Sequence, residues 1–168
     1  MEYIKIDMHN RERINSFISE HWFSTEMIIR GSIIDMTKVE GIVTLENNNI
    51  IGLLTYIIHG NICEITSLDS LLEGKGIGTN LINRLISIAK DACCSKVIVV
   101  TTNDNINAIR FYQRRGFDMA RLYHNALDIS RQMKPSIPLI GDNGILLKHE
   151  IEFEINFAKC HGDGGLTA

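Results

Sequence analysis

Two periods of hydrophobic and polar residues alternate along the chain, and the changes between them predict its helices and strands. Apolar residues three and four apart predict a first helix that begins near Asn10 and carries Trp22 on its apolar face. The less regular segment Ser24 to Glu40 predicts a short second helix followed by a loop. Runs rich in β-branched residues predict strands at Glu2 to Ile6, Gly41 to Leu45, Ile50 to Ile58 and Ile62 to Leu68. The short turns between the last three strands predict that they are antiparallel neighbours.

The second half of the chain begins with a strand, a helix and a strand in one unit. The helix opens near Gly76, has one apolar face, and precedes the almost continuously apolar strand Lys96 to Val100. Because such a crossover is right-handed and joins parallel strands, we expect one parallel pair in the sheet. The rest of the pattern predicts a helix, a strand, a short helix with a loop, and a closing strand, at Asn103 to Arg115, Phe117 to Asn125, Leu127 to Gly144 and Ile145 to Phe157.

Length and charge narrow the class of protein. A chain of 168 residues is most simply one domain, here residues 1–158, followed by a flexible tail at residues 159–168. The net charge of -3 comes from 17 basic and 20 acidic residues that are interspersed, so nucleic acid is not expected as a partner. The start lacks the features of a signal peptide, and the longest near-apolar run, Ile50 to Ile58, is too short to span a membrane. We therefore expect a cytoplasmic protein without a membrane partner.

The four cysteines predict neither a disulfide framework nor a metal site. Cys63 falls in a strand pattern and Cys93 and Cys94 in a helical pattern, and no two cysteines have C-x-x-C spacing. We expect reduced, structural thiols. Cys160 and His161 form a single pair in a Gly-rich segment, so no metal is assigned.

The segment Leu68 to Thr79 joins a predicted strand to a predicted helix through three alternating glycines, Gly74, Gly76 and Gly78. Glycine allows a backbone to approach a ligand closely, and the first turn of the following helix has unpaired N–H groups that attract phosphate. The spacing differs from the dinucleotide fingerprint G-x-G-x-x-G and from a Walker-type loop, because Lys75 is followed by glycine. A phosphate-binding loop and a plain strand-to-helix turn both remain open from this segment alone.

A second motif runs from Asn105 to Phe117 and has Ala108, Phe111, Tyr112 and Gly116 at its fixed positions. This run resembles the second signature of the GNAT superfamily of N-acetyltransferases, Asn-x-x-Ala-x-x-Phe-Tyr-x-x-x-Gly-Phe. The glycine segment resembles the acyl-CoA loop of that superfamily, which has Arg or Gln, two further residues, Gly, one residue, and Gly or Ala. Gly76 and Gly78 match the two small positions, and Glu73 stands where Arg or Gln is usual.

The resemblance covers roughly Ile42 to Phe157 and implies a fold and a ligand. The implied fold is α/β (an α+β mixed sheet), with about six to seven mostly antiparallel strands, one central parallel pair and about four helices. Acetyl-CoA would lie where the strand ending near Leu68 splays from the strand ending near Thr101. Because of Glu73, we expect its phosphates to be held by backbone N–H groups. The resemblance implies acetyl-CoA contacts at Leu68, Asp69, Ser70, Glu73, Gly74, Lys75, Gly76, Ile77, Gly78, Thr79, Asn105, Ala108, Phe111 and Tyr112.

The implied chemistry needs a proton donor for the departing thiolate and a proton acceptor for the amine. Tyr112 would be the donor, since an ordinary tyrosine stays protonated at neutral pH. Glu64 would be the base, because it alternates onto the same side as Thr66 and Leu68 if no bulge intervenes. A solvent-facing role for Glu64, with water as the base, is the alternative.

Acceptor contacts are expected from His21 and Trp22 on the first helix, although a core aromatic beside a solvated imidazole explains the same residues. Asp69 likewise has the alternative of being only a turn residue. The predicted function is transfer of an acetyl group from acetyl-CoA to a primary amine of a small molecule or peptide, by a monomer or a homodimer. The alternative is a non-catalytic acyl-CoA sensor or interaction module, which Glu73 and the uncertain base favour.

Overall fold

The computed structural model describes residues 1–157, and within them strands outnumber helices. The strands are β1 (Glu2–Lys5), β2 (Glu26–Ile29), β3 (Ser32–Asp35), β4 (Glu40–Glu46), β5 (Asn49–His59), β6 (Ile62–Ser70), β7 (Lys96–Thr102), β8 (Asp118–Tyr123) and β9 (Glu150–Asn156). The α-helices are α1 (Arg11–Trp22), α2 (Ile77–Asp91), α3 (Ile106–Gln113) and α4 (Ala126–Met133). A short 3-10 helix covers Asp142–Gly144.

Seven of the strands form one sheet in the order β1-β4-β5-β6-β7-β9-β8. Every neighbouring pair in it is antiparallel except β6 and β7, which the crossover helix α2 joins in parallel. The predicted fold class is confirmed: a mixed sheet with one parallel pair and four α-helices. The remaining two strands, β2 and β3, form a separate antiparallel hairpin.

The parallel strands β6 and β7 are paired along only part of their length. Its register runs from Ile62 opposite Lys96 to Ile65 opposite Val99, and there it stops. Strand β6 nevertheless continues to Ser70 and β7 to Thr102, each held by its other neighbour. The two strands therefore diverge toward their carboxyl ends, which is the edge where open α/β sheets bind ligands.

A β-bulge in β6 accompanies this divergence. Tyr56 of β5 lies opposite Ile65, but the next residue of β5, Thr55, lies opposite Ser67, so Thr66 is an extra residue. The Thr55 hydroxyl lies 2.7 Å from the hydroxyls of both Thr66 and Ser67, which satisfies these buried polar groups. The prediction that Glu64 shares a face with Leu68 assumed an unbroken strand. The bulge reverses the alternation, so the two side chains lie on opposite faces.

Two clusters of buried side chains cover the faces of the sheet. On one face α2 contributes Leu81 and Leu85, which pack with Leu54 and Phe153 of the sheet. On the other face, α1 and the segment after β3 pack against β4 and β5 in a second cluster, made of Ile14, Phe17, Ile18, Met36, Val39, Val43 and Leu53. Because α2 starts at the glycine segment, the first cluster also fixes where that segment lies.

The predicted second helix within Ser24 to Glu40 is wrong, because this segment forms the β2–β3 hairpin. Each of the two strands contains two consecutive isoleucines, and β-branched residues favour strands over helices. The turn residues Arg30 and Gly31 both have positive φ, 48° and 72°, as a two-residue hairpin turn of the right twist requires.

Other predicted boundaries differ by shorter stretches. The helix expected from Asn103 begins at Ile106, because Asn105 is its N-cap and accepts a 3.0 Å hydrogen bond from the Ala108 N–H. The closing strand expected from Ile145 begins at Glu150. Strand β8 is two residues shorter at its C-terminal end than expected. The predicted tail at 159–168 lies outside the described residues.

We predict that Leu85→Ala lowers the free energy of unfolding by about 2–5 kcal/mol, since Leu85 is 0% exposed under the sheet. Leu139→Ala is the matched control, because the same atoms are removed from a side chain that is 69% exposed. Its effect should stay within about 0.5 kcal/mol. Urea unfolding followed by circular dichroism measures both, and equal losses would mean that α2 does not anchor this core.

Candidate active site

A cavity of about 240 Å³ lies where β6 and β7 diverge, and we call it the opening cavity. Its walls come from the ends of both strands, from the β2 strand of the hairpin and from α3. Its lining includes Trp22, Thr66, Leu68, Thr102, Tyr112 and Glu150. The two strands thus diverge as expected, and the space between them is a cavity.

A second cavity of about 300 Å³ lies between the end of β6, the start of α2 and α3, and we call it the α3 groove. Its lining consists of Leu68, Ser70, Glu73, Gly78, Asn107, Ala108, Phe111 and Tyr112. All of these except Asn107 were expected ligand contacts, so the fold brings the two motifs together. Leu68, Ala108 and Tyr112 line both cavities, which therefore meet at the Tyr112 side chain.

Tyr112 is held tightly at this junction. Its side chain is 6% exposed, and its ring makes edge contacts with Phe111 and Phe117, at centroid distances of 5.3 and 5.4 Å. Burial raises the pKa of its phenol well above the ordinary value, and the nearby charge of Asp69 raises this pKa further. The Tyr112 phenol therefore keeps its proton at neutral pH.

The free edge of β6 faces the same junction. The Leu71 N–H donates to the Ile51 carbonyl of β5 at 2.9 Å, so Asp69, two residues earlier, points its N–H in the same direction. The N–H groups of Leu68 and Ser70 consequently point to the edge that β7 has left. Backbone donors aimed into a cleft are suited to hold an amide or a developing negative oxygen.

The glycine segment lies at the start of α2. Gly74 and Gly76 both have a φ of 71°, which a residue with a β-carbon adopts only with strain. Gly78 has an ordinary φ, but a β-carbon there would lie 3.1 Å from Cζ of Phe111, so its smallness lets α2 and α3 approach. Ile77 belongs to the buried core instead of the groove. The groove lining also omits Gly74, Lys75, Gly76 and Thr79, and Asn105 lines the opening cavity.

A cation that the motifs did not reveal lies beside this segment. The guanidinium of Arg115 contacts the Thr79 hydroxyl in the first turn of α2, with its Nε 3.0 Å away. It also lies over the Phe111 ring, 3.3 Å from the centroid, and donates to the Phe111 carbonyl at 2.8 Å. The sequence could have revealed this cation, because Arg115 follows Tyr112 by three residues. Both side chains therefore lie near the C-terminal end of α3.

Glu64, the predicted base, lies elsewhere. Its carboxylate is buried and forms an ion pair with Arg30, whose Nη2 lies 2.8 Å from both carboxylate oxygens. A second carboxylate, Glu152, lies 3.8 Å from Nη1 of Arg30. Glu64 lines a cavity beneath the hairpin turn and neither cavity that contains Tyr112. This arrangement suits a structural role for Glu64 better than a catalytic one.

The two residues that were expected to contact the acceptor amine lie in different surroundings. The Trp22 indole lines the opening cavity, and its Nε1 donates to Oδ2 of Asp69 at 3.1 Å. The His21 ring instead stacks on Phe17 at 3.9 Å and lies outside the opening cavity. Asp69 is a strand residue and not a turn residue, and burial raises the pKa of its carboxyl despite the Trp22 hydrogen bond.

Two further features of residues 1–157 bear on the class of protein. No helix in this part of the chain is long and apolar enough to cross a membrane. The same residues contain no group of three or more His, Cys, Asp or Glu side chains placed to hold a metal ion.

A mixed sheet that splays at its one parallel pair, with a glycine loop and a buried tyrosine at the splay, defines an acyltransferase-like architecture. The chain belongs to the acetyltransferase (GNAT) family, whose model matches residues 7–117. The resemblance drawn from the two motifs is therefore confirmed.

Three similar proteins illustrate this relationship. The uncharacterized protein YdhI of Bacillus subtilis (strain 168) is 43% identical over 144 residues, which cover 85% of this chain and 90% of that protein. A GNAT family acetyltransferase from Elizabethkingia anophelis, solved with acetyl-CoA bound, is 25% identical with a TM-score of 0.62, covering 73% of this chain and 78% of that one. The IAA acetyltransferase from Bacillus cereus ATCC 14579 has a TM-score of 0.70 at 21% identity, covering 93% of this chain and 100% of that one. The last comparison shows a shared fold.

We predict that Arg30→Leu destabilises the fold by about 3 kcal/mol, because it leaves the buried carboxylates of Glu64 and Glu152 without their cation. Lys38→Leu is the control, because it removes a cation from the same part of the chain. The side chain of Lys38, however, is 82% exposed. That loss should be below about 1 kcal/mol. Chemical denaturation measures both, and a double variant with Glu64→Leu should recover part of the Arg30 loss.

Proposed function

We propose that this protein transfers the acetyl group of acetyl-CoA to a primary amine of a small molecule or peptide, by direct attack in a ternary complex. The observation that carries the proposal is the position of Tyr112, whose neutral hydroxyl lies where the α3 groove and the opening cavity meet. One cavity can then hold the acyl donor and the other the acceptor, with a proton donor between them.

The residues around the α3 groove fit acetyl-CoA, which the Elizabethkingia anophelis relative holds. The outward N–H groups of Leu68 and Ser70 would bind the amide groups of the pantetheine arm and polarise the thioester carbonyl. The start of α2 and the guanidinium of Arg115 would hold the phosphates. Arg115 thus supplies the cation that Glu73 does not.

The chemistry then requires little from the protein beyond placement and one proton. The amine nitrogen forms a bond to the carbonyl carbon, the carbon–sulfur bond breaks, and the electron pair of that bond goes to sulfur. Tyr112 gives its proton to the sulfur and regains one from solvent. A positioned acid of this kind contributes about 10²- to 10⁴-fold in rate. Water is the proposed acceptor of the amine proton, since Glu64 is engaged with Arg30.

A non-catalytic acyl-CoA sensor is the second candidate, and the observation in its favour is Glu73 in the lining of the α3 groove. A carboxylate there opposes the phosphates and weakens binding of the donor. Release of free thiol from acetyl-CoA with a panel of amines separates the two functions. Tight CoA binding without any release across the panel would favour the sensor.

Binding of the donor is tested first by thermal unfolding. CoA at 100 times its dissociation constant should add about 2.7 kcal/mol of stability, because it binds only the folded chain. NAD and ATP serve as controls, since they share the adenine and phosphates but lack the pantetheine arm. If millimolar CoA shifts the melting temperature no more than NAD does, the proposed function is wrong.

Charge changes at the groove should act in opposite directions. We predict that Glu73→Gln strengthens CoA binding and Arg115→Gln weakens it, each by about 3- to 10-fold at low salt, as expected for charges near the protein surface. Arg114→Gln is the matched control, because that neighbouring side chain is exposed. Isothermal titration calorimetry at two salt concentrations measures the effects, which should shrink as salt rises. A weakening by Glu73→Gln would contradict the placement of the phosphates.

We predict that Tyr112→Phe lowers kcat and kcat/KM together by ten-fold or more and leaves the Kd of CoA nearly unchanged. The ring still packs against Phe111 and Phe117, so the fold should persist. Because burial raises the pKa of Tyr112, kcat of the native enzyme should not fall between pH 9 and about pH 10, where an ordinary tyrosine begins to ionise. The deficit of the variant should narrow above about pH 8.5, as the thiolate leaves more readily. A variant with native kcat at pH 7 in a chemistry-limited assay would exclude Tyr112 as the acid.

A further inference from the structure

A third cavity adjoins the opening cavity on the side away from the α3 groove. It has a volume of about 220 Å³, lies between α4 and the β2–β3 hairpin, and is called here the α4 cavity. The residues that line both it and the opening cavity are Trp22, Met27, Ile28, Thr102 and Glu150. A molecule that enters through the α4 cavity therefore passes these five side chains before it reaches Tyr112.

Glu150 is the charged side chain among these five. It is the first residue of β9, lies opposite Thr102 of β7, and is only 3% exposed. Its Oε2 accepts a 3.0 Å hydrogen bond from the Arg30 backbone N–H at the hairpin turn. This bond fixes the carboxylate in the wall shared by the two cavities but adds no positive charge to it.

No cationic side chain of residues 1–157 forms an ion pair with this carboxylate. The guanidinium of Arg30 pairs with Glu64 and lies near Glu152, so it reaches Glu150 only as a longer-range attraction. Burial raises the pKa of Glu150, which means that the charged form lacks the solvation it would have in water. A buried carboxylate that has no cation within ion-pair distance is stabilised when a cation binds beside it.

The other walls restrict what that cation can carry. Met27, Ile28, Leu127 and Ile137 make the α4 cavity largely apolar, and the Trp22 indole adds an aromatic wall that favours cations. The remaining charges in its lining, Glu26 and Lys134, are exposed and opposite in sign. Both cavities are smaller than the roughly 300–1,000 Å³ of sites for drug-sized ligands.

We propose that Glu150 binds the ammonium group of the acceptor, and that the acceptor is a small primary amine with an apolar body. The proposal rests on the proposed function, of which it names the substrate class. The apolar body lies in the α4 cavity, and the nitrogen lies in the opening cavity, on the path to Tyr112. Glu150 is thus a substrate-binding residue, and selectivity comes from one buried charge among apolar walls.

The test uses binding, so that it does not depend on turnover. The native protein saturated with CoA is titrated with 2-phenylethylamine, with the neutral 2-phenylethanol, and with the zwitterion phenylalanine, by calorimetry or by NMR. We expect the amine to bind at least ten-fold more tightly than either of the others. Equal affinity for the alcohol, or tighter binding of phenylalanine, would overturn the proposed acceptor class.

Two variants locate the effect. Glu150→Gln keeps an oxygen to accept the Arg30 N–H, and it should weaken 2-phenylethylamine ten-fold or more without changing the affinity for 2-phenylethanol. Glu154→Gln is the matched control, since it makes the same change further along β9. There the carboxylate already pairs with Lys96 at 2.7 Å. An unchanged amine affinity in Glu150→Gln would overturn the assignment. If that variant does not fold, the three-ligand comparison on the native protein decides.

The outcomes also separate this inference from the proposed function. Amine binding that depends on Glu150, without any acetyl transfer to the amine, would support the site and contradict the enzyme. Acetyl transfer to 2-phenylethylamine with an unchanged KM in Glu150→Gln would support the enzyme and contradict the site.

Discussion

The end of pairing between β6 and β7 at Ile65 and Val99 is the constraint on which the rest of this structure depends. A strand edge inside a sheet normally finds its hydrogen bonds in the next strand, and buried backbone groups are rarely left without partners. Among residues 1–157, no strand lies against the outward N–H groups of Leu68 and Ser70. The cavities, the glycine segment and Tyr112 are all arranged around that edge, so its N–H groups are free to donate to a ligand that carries carbonyl oxygens.

A second set of interactions fixes the β2–β3 hairpin over the opening cavity. The turn of the β2–β3 hairpin is tied to the sheet through Arg30, by its side chain to Glu64 and by its backbone to Glu150. These contacts keep Met27 and Ile28 over the opening cavity. The guanidinium pairs with Glu64 and not with Glu150, so the contacts that fix the hairpin leave Glu150 as a buried carboxylate without an ion pair among residues 1–157.

Much of this arrangement could be predicted from sequence because it is local. The periodicity around Leu81 and Leu85 and the two motifs each act within a few residues of the chain. The hairpin was missed because Arg30 adopts a positive φ that no residue signal required, and the bulge at Thr66 depends on register with β5. No local signal marked Glu150, because its contact with the hairpin joins residues 120 positions apart in the chain.

A crystal structure with CoA bound tests the central claim most directly. The account predicts that the pantetheine arm lies along β6 with its amide oxygens accepting from the Leu68 or Ser70 N–H, and that the sulfur lies within hydrogen-bonding reach of the Tyr112 hydroxyl. The phosphates should lie at the start of α2 beside Arg115. A CoA molecule whose sulfur lies outside the junction of the two cavities, or whose arm leaves the β6 edge unpaired, would contradict it.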